Sequence, residues 1–313
     1  MKFSPSDLAI CETCGTQYDV PLSQHPETCR ICDDPRQYVP ASGQSWTNLA
    51  NSQQTQKNVF ETDPKDARIH YISTQPLTPS ELPAGLADSS TTRKQLGIGQ
   101  RAILLQTSHG NVLWDCIALL NPQTIDFINS KGGLKAIVIS HPHFYTTHLE
   151  WAEAFGCPVY TCRDDAQWLN REDKRGVRKL VGGVTPIEEV EGKVKMVQCG
   201  GHFEGSSVAH WDGKLFIADT FMSVPSGFSN AQRIPDTTSY SFMWAYPNMI
   251  PLPPPAVLAI WKAIKPFEFD STYGGFAGQN LSRPDLKAQV LESMKIFLRR
   301  GGHEGAEIFG ESV

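Results

Sequence analysis

The chain has 313 residues and a net charge of −5 with no basic block, which argues against a nucleic-acid partner, because proteins that grip a phosphate backbone present a basic face. No uncharged apolar run is long enough to span a bilayer, and Met1-Lys2-Phe3-Ser4-Pro5-Ser6-Asp7 has no apolar signal-peptide core, so a cytoplasmic protein that does not use a membrane is expected. A hydrophobic content of 40% suits one large soluble domain plus an appendage, with oligomerisation left open.

Residues 1–40 carry Cys11-Glu12-Thr13-Cys14 and, fourteen residues on, Cys29-Arg30-Ile31-Cys32. Each CxxC pair forms a tight knuckle whose thiolates face one ion, and two knuckles make a tetrahedral four-cysteine site, so Cys11, Cys14, Cys29 and Cys32 are expected to hold a structural zinc. Cys14-Gly15 followed by Tyr18 is similar to rubredoxin, but the second knuckle lacks the Cys-Pro-x-Cys-Gly pattern, which favours zinc over a redox iron. A ribbon this small has almost no apolar core, so the metal must supply much of its stability.

Residues 41–65 are rich in Ser, Asn, Gln and Thr and read as a polar surface connector, with Trp46 and Leu49 available to pin it. Residues 66–313 then alternate strand and helix patterns. Residues 68–74 read as a strand and 76–90 as irregular; 100–107 and 112–117 read as a hairpin turned at Ser108-His109-Gly110-Asn111. Asn121-Pro122 starts a helix that Gly132-Gly133 stops. Strand 136–140, helix 147–155, strand 158–161 and a short helix at 164–170 follow. Short strands are expected near 179–181, 185–187, 194–199, 207–211 and 215–218, then a helix at 254–264, a strand at 268–273 and a long helix at 284–299. Segment 221–255 is aromatic, proline-rich and poor in charge, and reads as the wall of an apolar pocket.

Three strand ends carry the chemistry. The apolar run 136–139 leads into Ser140-His141-Pro142-His143, run 194–197 into Gly200-Gly201-His202-Phe203-Glu204-Gly205-Ser206, and run 215–218 into Asp219. Residues i and i+2 of an extended segment point the same way, so His141 and His143 can reach one ion together. His202 and Asp219 complete three imidazoles and a carboxylate, a donor set that suits zinc or iron(II). Isolated histidines such as His25, His70, His109, His210 and His303 read as structural.

This arrangement resembles the metallo-β-lactamase superfamily over roughly residues 66–300. The resemblance includes Gly110-Asn111-Val112-Leu113-Trp114-Asp115-Cys116, the HxH segment, the GGH segment and the strand ending in Asp219. It implies an α/β fold, an αββα sandwich carrying a small N-terminal four-cysteine zinc ribbon. It also implies that His141, His143 and His202 form the first metal site, with Asp219 between the two sites. The family reads HxHxDH, whereas Tyr145 and Thr146 occupy the last two positions here, and the counterpart of its late ligand strand, residues 267–275, contains no His. A single catalytic metal, zinc with iron(II) as the alternative, is therefore expected.

The expected activity is hydrolysis of a small-molecule ester, thioester, lactone or lactam, with Asp219 as fourth ligand or base. Tyr145, His148 and Tyr273 are candidates for the proton donor that a second metal would otherwise replace. His148 is the spare imidazole, placed either toward the second site or in the first turn of helix 147–155. The alternatives are a non-haem iron oxidoreductase or dioxygenase of the same fold, and a partner-binding protein with a decayed centre. Asp115 reads as a carboxylate that steadies a ligand imidazole.

Overall fold

The N-terminal segment builds a small sheet of its own. In the computed structural model, which describes residues 5–83, 95–229 and 234–313, β1 (Leu8–Cys11) pairs antiparallel with β2 (Gln17–Pro21) on one side and β3 (Trp46–Thr47) on the other. Trp46 closes this unit, stacking on His25 at 5.5 Å and meeting Tyr18 edge-on at 5.3 Å. The chain continues into α1 (Leu49–Thr55), capped by the Asn48 side chain on the Asn51 N–H.

Seven strands make the first large sheet: β4 (Gln56–Thr62), β5 (Ile69–Pro76), β6 (Arg101–Thr107), β7 (Gly110–Trp114), β8 (Ala136–Val138), β9 (Val159–Cys162) and β10 (Arg178–Val181), in the order β10-β9-β8-β7-β6-β5-β4. Strands β4 to β7 are antiparallel, and β7 to β10 run parallel. Parallel neighbours need a crossover, supplied by α2 (Pro122–Ser130) and α3 (His148–Phe155). Asn121 caps α2, accepting from the Thr124 N–H at 2.9 Å, with Pro122 at its first position.

The second sheet begins with β11 (Val184–Pro186), β12 (Lys195–Gln198), β13 (Ser207–Trp211) and β14 (Lys214–Phe216). The chain then leaves it for two short hairpins, β15 (Met222–Ser223) with β16 (Tyr240–Ser241) and β17 (Met243–Ala245) with β18 (Ile250–Pro251), and for α4 (Pro254–Ile264). It returns as β19 (Ser271–Tyr273), parallel to β14, and β20 (Leu281–Ser282), and ends in α5 (Leu286–Arg300).

Alternation along the strands assigns the layers. Ile103, Leu105, Val112, Trp114 and Val138 meet Met196, Ala209, Trp211 and Phe216 between the sheets. Their strand neighbours Ala102, Leu104, Leu113 and Ile137 face outward onto Ile128 of α2 and Trp151 of α3. Across the molecule, Val197, Val208 and Leu215 face α4 and α5 through Ile260, Trp261, Val290 and Met294. The result is the expected α/β, αββα sandwich with a four-cysteine cluster at its N-terminal end.

One expectation changes. The surface connector is not one: residues 46–62 form β3, α1 and β4, and β4 is the edge of the first sheet. Its polar sequence misled because the buried members of β4, Gln56 and Asn58, are amides, and Asn58 is fully partnered. Asn58 Nδ2 donates to the Leu119 carbonyl and Thr124 Oγ1, both at 2.8 Å, and Asn58 Oδ1 accepts from Thr74 Oγ1 at 2.9 Å. Of the anchors named, Leu49 packs with Ile10, Ala118 and Leu119, while Trp46 stays within the ribbon. The irregular stretch 76–90 ends β5, passes through a short 3-10 turn at Pro79–Glu81, and lies outside the described residues from 84 onward.

Candidate metal centre

The C-terminal ends of β8, β12 and β14 open at one edge of the sandwich, each followed by ligand-type side chains. Strand β8 is too short to hold the whole HxH run, so His141 sits extended (φ −168°) and His143 follows in a 3-10 turn, Pro142–Phe144. Before His202 the backbone takes two left-handed residues in succession, Gly200 (φ 70°) and Gly201 (φ 92°). A Cβ on Gly201 would also come within 3.0 Å of Leu252 and 3.1 Å of Ile260, so only glycine serves there. Ser207 N donates to the Ser140 carbonyl at 3.0 Å, tying the two ligand loops together.

Four atoms converge. Asp219 Oδ2 lies 3.5 Å from His141 Nε2, 3.6 Å from His143 Nδ1 and 3.7 Å from His202 Nε2, and the last two nitrogens are 3.3 Å apart. All four residues are buried. Donors at about 2.0–2.2 Å from a tetrahedral ion stand about 3.3–3.6 Å from one another, so this set fits a zinc-sized ion. Orphaned atoms point the same way: His141 Nε2 and Asp219 Oδ1 find no hydrogen-bond partner, although each is buried.

The remaining atoms of the imidazoles set their tautomers. His202 Nδ1 donates to the Trp244 carbonyl at 2.7 Å, which leaves Nε2 as a lone-pair donor toward the cluster. His141 Nδ1 bonds Ser140 Oγ at 2.8 Å, and the Ser140 N–H is held by Asp115 Oδ1 at 2.7 Å. Asp115 therefore acts on His141 through Ser140, from a left-handed backbone (φ 61°). Burial pushes its pKa up to about 8, against the opposing pull of the Ser140 N–H. Burial also drives His143 and His202 below the usual imidazole range, favouring the neutral ligand form. It would raise Asp219, but the imidazoles around it, His141 first, outweigh burial and hold it well below the carboxylate range. Phe203 lies 5.0–5.8 Å from the three imidazole rings and Phe144 lies 5.0 Å from His141, so the cluster has apolar walls.

Three sequence candidates stand elsewhere. His148 opens α3 with both nitrogens engaged: Nδ1 donates to the Tyr145 carbonyl at 2.7 Å and Nε2 accepts from Arg178 Nε at 2.8 Å. Burial, reinforced by Arg178, lowers its pKa to about 3, so it is neutral, and neither nitrogen is free. Tyr145 turns into the core beneath α3, and its hydroxyl donates to the Asp165 carbonyl at 3.2 Å. Tyr273 stacks on Phe216 at 5.1 Å between the sheets. Adjacency to HxH in sequence did not give adjacency in space, because the turn at Thr146 (φ 37°) carries the chain away.

The structure supplies a residue that position alone did not single out. Tyr246, in the aromatic segment after Asp219, has its ring 6.0 Å from His202, and its hydroxyl donates to the Ser241 carbonyl at 3.3 Å. Burial and then the charge of Asp219 raise its pKa well above the usual phenol range. The aromatic segment thus divides: Phe221, Tyr240 and Phe242 fill the core under α5, while Trp244 and Tyr246 flank the cluster.

The ribbon cysteines form a second ligand group. All four are buried, with Cys11 and Cys32 Sγ 3.5 Å apart and Cys14 and Cys29 Sγ 3.7 Å apart, against about 3.8 Å for two thiolates on one tetrahedral zinc. Among the described residues these are the two groups of three or more ligand-type side chains that gather.

The chain has the metallo-β-lactamase fold and, among its described residues, two groups of ligand-type side chains arranged as metal sites. VMB-1 has a similar solved structure, with a TM-score of 0.52 and 12% identity over 79% of this chain and 99% of its own. The DIM-1 metallo-β-lactamase has a TM-score of 0.51 and 13% identity over 78% and 98%. No protein-family model matches the sequence. The chain belongs to the family of the uncharacterized protein YmaE of Bacillus subtilis (strain 168), to which it is 34% identical over 275 residues, 86% of this chain and 88% of YmaE.

Proposed function

We propose that this protein is a hydrolase with a single catalytic metal, acting on a small ester, thioester, lactone or lactam. The observation that carries the reading is the convergence of His141 Nε2, His143 Nδ1 and His202 Nε2 on Asp219 Oδ2 within 3.5–3.7 Å. A zinc ion in such a set supplies Lewis acidity, bringing the pKa of a water to about 7 and polarising an acyl oxygen. The chain's own groups do the rest. The Trp244 carbonyl and Ser140 Oγ fix the His202 and His141 rings. Asp219 keeps Oδ1 without a partner, so it can orient a water. Tyr246, with its ring 6.0 Å from His202, takes the proton-donor role that position in sequence had offered to Tyr145 and His148, on releasing the Ser241 carbonyl that holds its hydroxyl. The four ribbon cysteines hold a structural zinc. Among the described residues no helix is long and apolar enough to cross a membrane.

The test compares zinc-loaded and iron-loaded protein on a panel of activated and unactivated esters, thioesters, lactones and lactams. The zinc form is expected to turn over at least one acyl class, and His202→Ala is expected to lose the centre's metal and the turnover together. Tyr246→Phe should slow substrates with poor leaving groups more than activated esters. An inactive zinc form beside an iron form that consumes oxygen would replace this reading with an oxidoreductase. Full activity in metal-free His202→Ala would remove the centre from the chemistry altogether.

A further inference from the structure

The metal centre is closed, and part of what closes it comes from the ribbon. Arg36 follows the second cysteine knuckle and is itself only 7% exposed. Its Nη1 donates to the His202 carbonyl at 3.2 Å. Its guanidinium lies 3.7 Å from the centre of the Phe203 ring, with Trp168 at 5.2 Å and Trp244 at 5.3 Å around it. Asp34 fixes the guanidinium from the ribbon side, through Nε at 2.7 Å and Nη2 at 3.0 Å. Next to it, Asn248 Nδ2 from the β17–β18 hairpin donates to the Pro35 carbonyl at 2.6 Å. Phe203 thus touches both Arg36 and the imidazole cluster, and Trp244 both flanks Arg36 and holds His202 through its carbonyl.

This is a costly arrangement for a merely structural contact. A guanidinium removed from water needs both its ion pair and its aromatic faces to be stable there. The same residue would have to leave before anything could approach the cluster past Phe203. The turn that carries it is set by the knuckle, since Asp33 N donates to the Cys29 carbonyl at 2.9 Å. We infer that the four-cysteine ribbon is the access gate of the His–Asp centre and that Arg36 is its latch, seated in the box of Phe203, Trp168 and Trp244. The inference rests on the proposed function only in taking that cluster as a metal centre. It adds a regulatory link: a ribbon without its metal loses the fixed turn at residues 33–36, and the centre opens.

The test is metal exchange, which needs no substrate. Full-length protein is loaded with cobalt(II), whose thiolate charge-transfer absorption reports the ribbon separately from the nitrogen–oxygen centre. Dipicolinate is then added, and loss of cobalt from the His–Asp centre is timed. Arg36→Ala is expected to speed that loss by about tenfold or more, equivalent to about 1.4 kcal/mol, while the thiolate band persists. Asn248→Ala, which cuts only the Pro35 tether, should give a smaller rise in the same direction. Exchange within about twofold of wild type in Arg36→Ala, with the ribbon still filled, would overturn the gate. If Arg36→Ala loses the thiolate band, Asn248→Ala decides, and an unchanged rate there overturns the gate. If the centre takes up no cobalt in wild type, the hydrolase proposal fails. The gate is then read from acylation of His202 by diethyl pyrocarbonate, expected to be about tenfold faster in Arg36→Ala and overturned by equal rates.

Discussion

Replacing Gly205 with Ala probes how rigidly the His202 loop is held. A Cβ at Gly205 would lie 2.6 Å from Cys162 Cβ and 2.7 Å from both Cγ and Oδ2 of Asp165. Carbon atoms settle about 3.5–4.0 Å apart, so something must move by about 1 Å. Cys162 ends β9 and Asp165 is fully buried, which leaves the loop to yield. That loop is closed by hydrogen bonds of 2.8 Å from Cys199 N and 2.9 Å from Gly200 N to the Ser206 carbonyl, and of 2.8 Å from Phe203 N to Ser206 Oγ. Overpacking of this kind costs about 1–3 kcal/mol. The shift also displaces His202, so metal retention should fall with stability. Urea unfolding of metal-free protein and metal content after gel filtration measure the two effects. Gly305→Ala is the control, with nothing within 4 Å of its Cβ and an expected change within about 0.5 kcal/mol. A Gly205→Ala protein as stable as that control, with its metal retained, would refute the claim that this loop is packed to its limit.

Asp165 gives a pH prediction. Burial raises its pKa from 3.8 to about 7, although Oδ1 accepts from the Gly205 N–H at 2.8 Å, and Oδ2 has no partner. The folded state therefore binds this proton more tightly than the unfolded chain. Its contribution is full below about pH 4 and is lost as pH rises through 7. Asp165→Asn should remove that slope in a stability-versus-pH series, and an unchanged slope would place the titration elsewhere. Cys11→Ser with Cys14→Ser should release the ribbon metal and destabilise residues 1–40, because the cysteines and Ile31 are most of that unit's core. The His–Asp centre should retain its metal at equilibrium, as read by metal analysis; loss of both ions would make ribbon and sandwich one folding unit.

Much of the fold was legible because its strands alternate or run apolar and its helices carry punctuation. Residues 254–264 and the Asn121-Pro122 start are examples, matched by α4 and α2. The metal cluster was legible for the same reason: each ligand follows an apolar strand, and strand ends of one sandwich share an edge. What escaped was decided by long-range contact. Strand β4 reads as polar linker because its buried side chains are amides, and the partners of Asn58 lie in Thr74, Leu119 and Thr124. His148 and Tyr145 look available beside HxH until Arg178 and the Asp165 carbonyl claim them. Tyr246 and Arg36 carry no motif, and their closeness to His202 comes from how the hairpin segment and the ribbon fold back.

The central claim is one catalytic metal held by His141, His143, His202 and Asp219, beside one in the four-cysteine ribbon. Anomalous diffraction at the zinc and iron edges, from crystals of protein purified without added metal, tests it most directly. The account predicts two peaks per chain, one among the four thiolates and one equidistant from His141 Nε2, His143 Nδ1 and His202 Nε2, with Asp219 as fourth donor. A third peak beyond Asp219, or no peak between the imidazoles, would contradict it.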